Sequence, residues 1–376
     1  MIFSKKAQLD VSFNWIYILI AGAVILLFFT GIIVRQKAAS EKQLSTEVVR
    51  IMESIFTAAG VSEKTKNSID TSGLAEYTLT FSCAEGVGEY GIRDGSMVQN
   101  AIEPIFSPAE LQGSRLSLWS LPYKLPFKIL DFLFVTSENT KYYLLGSDPF
   151  ITEFINETAA DEKIHFRISA ERIAGPEQME RGNYFHVRVV DFTAAVREGA
   201  EVPNRLQEMD DGKVTAVAFT GNQVDYYQKE GAAWKKTTPA PLPIISLGGE
   251  RDAAKYAAIF SGSDQIYQCN MQKAFRRLKL LNEVYGGAAI NLREPGGKLG
   301  EMLQYYGQHP QLAPSPPDCV GKLRNYPENI LSALTTHQNQ ASACLLWASS
   351  CADLIASAAL VRKLNEQLLA DCLTLY

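Results

Sequence analysis

The chain has 376 residues, a formal net charge of −5, 20% charged residues and 47% hydrophobic residues. That is ordinary globular composition, with room for two domains. The mild acidity argues against nucleic acid as a partner and against a domain lying flat on an anionic membrane, because both need a basic surface.

The amino terminus reads MIFSKKAQLD, a short basic start in which Lys5 and Lys6 precede a small residue, Ala7, and a polar one, Gln8. Val11 to Val34 follow as 24 consecutive uncharged residues between Asp10 and Arg35. At about 1.5 Å per residue they reach roughly 36 Å, enough to cross a hydrocarbon core of about 30 Å with some tilt. Asn14 is the only strongly polar group inside, and Trp15 and Tyr17 sit near one end, where amphipathic rings favour the membrane interface. A single-pass membrane anchor is therefore expected at 11–34. The residues outside it, freed of Lys5, Lys6, Arg35 and Asp10, carry about −7.

Lys5, Lys6, Ala7 and Gln8 leading straight into the apolar run resemble the archaeal type III signal segment of type IV pilin-like proteins. The resemblance covers about 30 residues and implies a membrane peptidase cutting after Ala7, with Lys6, Ala7 and Gln8 as the processing site. It departs from the commonest pattern in having Ala in place of Gly and Ser12 where a Glu is frequent; a plain uncleaved signal anchor is the alternative. The whole chain resembles, loosely, uncharacterised archaeal single-pass membrane proteins, which implies no activity.

Residues 36–59 continue as a helix. Leu44, Val48, Ile51, Met52, Ile55 and Phe56 recur at three and four, so this stretch is a stalk that packs on its own domain or pairs with another copy. Gly60 ends it, and 61–75 read as a polar linker.

A mixed α/β region is expected over 76–246. Tyr77–Cys83, Leu116–Tyr123 and Phe127–Thr136 pattern as strands, the latter two interrupted by Pro122 and Pro126. Ser107-Pro108-Ala109-Glu110 has the form of a helix start. Lys141–Leu145, Ile164–Ser169 and Tyr184–Phe192 are strands separated by a helix opening at Asp148-Pro149 and a short helix at Pro176–Arg181. This alternation predicts a Rossmann-like, partly parallel sheet. Val214–Phe219, Val224–Gln228 and Ala233–Lys236 add an antiparallel meander.

Beyond Pro239, Pro241 and Pro243 the pattern is helical, giving a C-terminal bundle over 247–376. Its best helix is Asp264–Tyr285, capped by Ser263; shorter ones follow at 298–306 and 327–337, separated by a proline-rich loop at 310–317. One last helix is expected over about 340–372, and its run Ala341–Val361, though nearly uncharged, contains Asp353 and reads as buried helix rather than second span.

Six cysteines, Cys83, Cys269, Cys319, Cys344, Cys351 and Cys372, fit three disulfides with 15 connectivities or a set of reduced packing residues. On one continuous helix Cys344 and Cys351 would lie about 10 Å apart, too far for a mutual bridge. Cys269, Cys319, Cys344 and Cys351 are the candidate disulfide set, with Cys269 expected within reach of Cys344 or Cys351 and Cys83 unpaired or paired across the domain boundary.

Lys5 and Lys6 before the span against Arg35, Lys37, Lys42 and Arg50 after it favour a cytoplasmic carboxyl domain. The signal-like start, the cysteines and the sequon Asn156-Glu157-Thr158 favour export, which is the expected orientation. No nucleotide, metal or catalytic signature is present. Gly248-Gly249-Glu250 and Gly296-Gly297-Lys298 lack P-loop spacing, and Ser261-Gly262-Ser263-Asp264 is a helix cap rather than a nucleophile elbow. Of the histidines, His165 and His186 fall in strand patterns, where a structural role is the default; no Cys–His spacing suggests zinc. No cofactor is expected. The sequence therefore supports a membrane-anchored, non-enzymatic interaction or structural protein, pilin-like or part of a surface assembly, with self-association through the stalk. The alternative is an exported hydrolase or ligand-binding protein using the α/β layer.

Overall fold

The computed structural model describes residues 65–287, 296–309, 327–345, 351–369 and 375–376, together with Ile20, Ala23, Leu27, Thr30, Thr46, Val49, Arg50 and 52–58. Among these no helix is long and apolar enough to cross a membrane. The expected span 11–34 lies almost wholly outside them, as do the processing site Lys6, Ala7 and Gln8, the loop 310–317, Cys319 and Cys372.

Two small sheets open the fold. β1 (Lys66–Asp70), β7 (Arg115–Lys124), β8 (Lys128–Ser137) and β5 (Ile105–Phe106) form one, in the order β1-β7-β8-β5. β4 (Met97–Asn100), β3 (Val87–Ile92), β2 (Leu79–Ala84) and β6 (Glu110–Leu111) form the other, in the order β4-β3-β2-β6. They close on a shared core of Leu79, Phe81, Tyr90, Ile92, Leu116, Leu118, Leu133 and Val135. Pro122 is accommodated because β1 pairs with β7 only as far as Trp119, leaving the outer part of β7 an edge.

Two expectations fail here. The linker 61–75 contains β1, because Lys66–Asp70 find a backbone partner in Arg115–Trp119 that no local signal announces. Ser107–Glu110 is not a helix start; the short strands on either side pair with β8 and β2 and hold it extended. Gly262 also packs backbone to backbone on that stretch, where a Cβ would lie 2.6 Å from the Ala109 nitrogen and 2.9 Å from the Pro108 Cα.

The third sheet has the order β10-β9-β11-β12-β13-β14, with β15 (Leu242–Pro243) also on β13. β9 (Thr140–Leu145), β10 (Ser169–Ile173), β11 (His186–Asp191) and β12 (Val214–Thr220) are parallel. β13 (Gln223–Glu230) and β14 (Ala233–Lys236) complete an antiparallel meander. The mixed sheet is thus partly parallel with a meander, as the alternation indicated. Helix α1 (Pro149–Thr158) starts at Asp148, whose side chain accepts from the Phe150 N–H, with Pro149 at the first turn. The strand expected at Ile164–Ser169 begins only at Ser169. Asp161 and Phe166 exchange backbone hydrogen bonds, closing a turn in which His165 takes φ +52°. The helix expected at Pro176–Arg181 is a single 3-10 turn, Pro176–Gln178.

The C-terminal half is helical: α2 (Ala253–Phe260), α3 (Asp264–Gly286), α4 (Gly297–Gln308), α5 (Pro327–Cys344) and α6 (Cys351–Leu369). Ser263 caps α3 by accepting from the Ile266 N–H. The expected single helix over 340–372 is two, since α5 ends at Cys344 with a turn at Leu345. The helices share one apolar cluster with the sheets, including Trp119, Phe134, Tyr142, Tyr256, Phe260, Tyr267, Phe275 and Leu334.

Residues 52–58 are helical and pack on the first domain rather than standing free. Met52 and Phe56 are buried, with the Phe56 ring 5.1 Å from that of Tyr90. Large-to-small replacement of a buried aromatic costs about 3–5 kcal/mol. Phe56→Ala should therefore destabilise the β2–β3 sandwich by that amount in urea denaturation. An effect below about 1 kcal/mol would mean this helix is an independent stalk.

Candidate functional site

Among the described residues, the places that could carry chemistry include the cysteines, the carboxyl edge of the parallel strands, and a cleft beside the β7–β8 turn.

The cysteine expectations are corrected. Cys269 on α3 bonds to Cys83 at the end of β2, with Cα atoms 5.7 Å apart and 186 residues between them. Cys344 bonds to Cys351, with Cα atoms 5.0 Å apart. The 10 Å separation held only for an unbroken helix; the turn at Leu345 brings the second cysteine back beside the first. Cys269 pairs with neither Cys344 nor Cys351, because the face of α3 that carries it lies on β2 and β3. Cys83 does pair across the boundary drawn at 246.

In an open α/β sheet, ligands bind outside the carboxyl ends of the strands where the order reverses. Here that point lies between β9 and β11, since the chain leaves β9 for β10 on one side and returns to β11 on the other. The crevice is filled by the chain itself. Asp191, at the end of β11, is fully buried, and its carboxylate accepts from the Thr193 N–H and hydroxyl and from the Val196 N–H, each at 2.7 Å. Those bonds fold the loop over β9: a Cβ on Gly146 (φ +118°) would lie 3.1 Å from Thr193 Cγ2 and 3.3 Å from Phe192 Cβ. Asp148 is occupied as the α1 cap. Among the described residues, the carboxylates of Asp148 and Asp191 at this edge are thus both engaged by backbone N–H groups of the chain itself.

Of the two histidines expected in strands, His186 is buried on β11 with Nε2 against Thr215 Oγ1 at 3.2 Å, while His165 is exposed in the turn before β10. His337 on α5 is more telling. Its Nε2 donates to the Leu125 carbonyl at 2.9 Å, so in the neutral ring Nδ1 accepts from the Ser357 hydroxyl at 2.9 Å. One imidazole thus ties α5, α6 and the β7–β8 turn. Among the described residues no group of three or more His, Cys, Asp or Glu side chains is placed to hold a metal ion.

The cleft, of 460 Å³, lies at that same turn. Leu121–Lys124 and Pro126 form one wall, the loop Ser246–Asp252 the second, and Arg362 of α6 closes it. The loop is held in one shape. Tyr123 donates to the Ile245 carbonyl at 2.8 Å, and Ser246 Oγ accepts from the Gly248 N–H at 2.9 Å. Asp252 caps α2 by accepting from the Ala254 N–H. Burial raises the Asp252 carboxyl above its ordinary range, while the Ser246 hydroxyl and Lys255 oppose that rise. Gly248 and Glu250, from the glycine pair that lacks P-loop spacing, line this cleft and are exposed. Sequence reasoning could not find it, because its three walls come from residues more than 100 positions apart and share no spacing. The sequon residue Asn156 is exposed on α1, while the Thr158 hydroxyl is buried and donates to the Phe154 carbonyl.

No protein-family model, no curated protein and no solved structure matches this chain. Function has to be argued from the geometry alone.

His337 gives a pH signature. Burial lowers it from 6.5 to about 4, against the opposing pull of the Leu125 carbonyl. Below pH 6.5 the unfolded chain binds a proton that the folded chain refuses. This contribution to stability is therefore complete above pH 6.5 and drains as the pH falls toward 4, by about 3 kcal/mol in all. Urea midpoints measured from pH 7 to pH 4.5 should fall less steeply for His337→Gln than for the parent chain. Parallel curves would show that His337 is not the titrating group.

Proposed function

We propose that this chain is a membrane-anchored, non-enzymatic interaction or structural module, held by residues 11–34, with its folded part outside the cytoplasm. The observation that carries the reading is the Cys83–Cys269 disulfide. Such bridges persist in oxidising compartments and are rare where thiols are kept reduced. It joins a strand of the first sheets to the longest helix of the C-terminal half. Closing a loop of 186 residues contributes up to about 5 kcal/mol in the chain-entropy account. A protein kept in the reducing cytoplasm would forgo that term. The signal-like start and the apolar run 11–34 support the same orientation, against the lysine and arginine count.

A binding or structural role is favoured over hydrolysis because the carboxyl edge of the parallel strands, the usual place for a substrate, is closed by Asp191, Phe192 and Thr193. The helical residues 52–58 fold onto their own domain through Met52 and Phe56, which favours one folded unit close to the anchor over a long free stalk.

Thiols trapped with an alkylating reagent in intact cells, followed by peptide mapping without reduction, should yield two linked pairs, Cys83 with Cys269 and Cys344 with Cys351. An impermeant amine reagent should reach the exposed lysines before lysis. If all four cysteines are alkylated and the lysines react only after lysis, the domain is cytoplasmic and the proposal fails.

A further inference from the structure

The cleft between the β7–β8 turn, the glycine loop and α6 has a feature that neither the fold nor the anchoring explains. Lys124, Arg251 and Arg362 all line it, although they lie on three separate elements of a chain whose net charge is −5. Lys124 and Arg362 are exposed and form no ion pair among the described residues. Arg251 is held at the rim: its backbone N–H donates to Glu153 at 3.1 Å and its Nε is ion-paired with Glu157 at 2.8 Å, which leaves Lys124 and Arg362 as the cations on the lining without a carboxylate partner among the described residues. Of the two acidic side chains on the lining, one is engaged by the fold and the other is exposed. Asp252 is committed to the start of α2 and to Ser246. Glu250 is exposed at the end of the glycine pair.

The walls are also built to stay open. At Gly248 (φ +74°), on the lining, a Cβ would meet nothing within 4 Å, so the backbone there faces unfilled space. The loop is fixed by the Tyr123, Ser246 and Asp252 bonds described above, which lowers the ordering cost of binding. A volume of 460 Å³ falls within the range of small-molecule sites, about 300–1,000 Å³. Gathering cations on a preformed concave surface costs mutual repulsion and is repaid when an anion makes charge-assisted hydrogen bonds to them.

We propose that this cleft is a binding site for a small anionic ligand bearing phosphate or carboxylate groups, held by Lys124, Arg362 and Arg251 over the Ser246–Glu250 loop. The inference does not depend on which side of the membrane the domain occupies. Binding joins the β7–β8 turn to α6, the two elements that His337 already links.

The test uses the full chain in a non-ionic detergent, titrated calorimetrically with inorganic pyrophosphate and, separately, with citrate. Saturable binding of at least one is expected, with pyrophosphate stronger if the site is made for phosphate and citrate stronger if it is made for carboxylates. Lys124→Ala combined with Arg362→Ala should weaken it about tenfold or more, as loss of charged hydrogen bonds does. The denaturation midpoint without anion should be unchanged. A second measurement needs no variant: the bound anion should protect Arg362 of the parent chain from an arginine-specific dicarbonyl reagent, read by peptide mass, whereas chloride at equal ionic strength should not. No saturable binding, equal binding by the double variant, or equal protection by chloride would each overturn the proposal.

Discussion

The buried face of α3 is the surface on which the layers of this protein meet. Tyr267, Met271, Phe275 and Leu278 are wholly buried there. From the same helix Cys269 reaches β2, and Asn270 reaches β5. The Asn270 amide donates to the Ile105 carbonyl at 2.8 Å and accepts from the Ile105 N–H at 3.1 Å, so a buried side chain stands in for a neighbouring strand. Lys273, buried one turn on, donates to the Glu103 carbonyl, and burial lowers it to about 8. Without α3 the β2 sheet would lose its covalent tie to the helices, β5 would lose the Asn270 side chain that bonds Ile105, and α5 would lose the surface it rests on.

The same device, a buried polar group placed where two elements meet, recurs at the other junctions. Arg188 of β11 is fully buried and donates to the Ala258, Ile259 and Ser261 carbonyls at the end of α2. A cation there satisfies the orphan acceptors of the helix terminus and opposes its dipole. His337 does comparable work between the hairpin and the β7–β8 turn. Such groups cost desolvation, and removing one partner leaves the other buried and unpaired, at about 1–3 kcal/mol. They stabilise one arrangement of the layers over its competitors, because an apolar contact alone could slide.

These junctions decide where function can sit. The parallel strands, which in many folds present a ligand crevice, are sealed at their carboxyl edge by the Asp191 loop. The open concave surface lies instead where the β7–β8 turn, the loop before α2 and α6 converge, on elements locked by Tyr123, Asp252 and His337. That surface is preformed, because its loop and turn are held by bonds within the fold.

Much of the fold was legible locally. Asp148-Pro149 and Ser263 announced their helices because a cap acts within one turn. The alternation from Thr140 to Lys236 announced the partly parallel sheet and its meander because strand patterning records burial residue by residue. The apolar run 11–34 was legible in the same way, as composition alone, and it remains a statement of the sequence. Tertiary structure decided what depends on a distant partner. β1 exists because β7 offers it a backbone edge, and Ser107–Glu110 stays extended because β8, β2 and Gly262 hold it. Cys83 found Cys269 across 186 residues, and Cys344 found Cys351 because a turn replaced a helix. The cleft joins Lys124, Arg251 and Arg362 for the same reason. Local propensity marks many helices and strands, but pairing, bridging and convergence, and with them the strand state of Lys66–Asp70 and the extended Ser107–Glu110, are set by contacts whose free energy appears only once the chain has closed on itself.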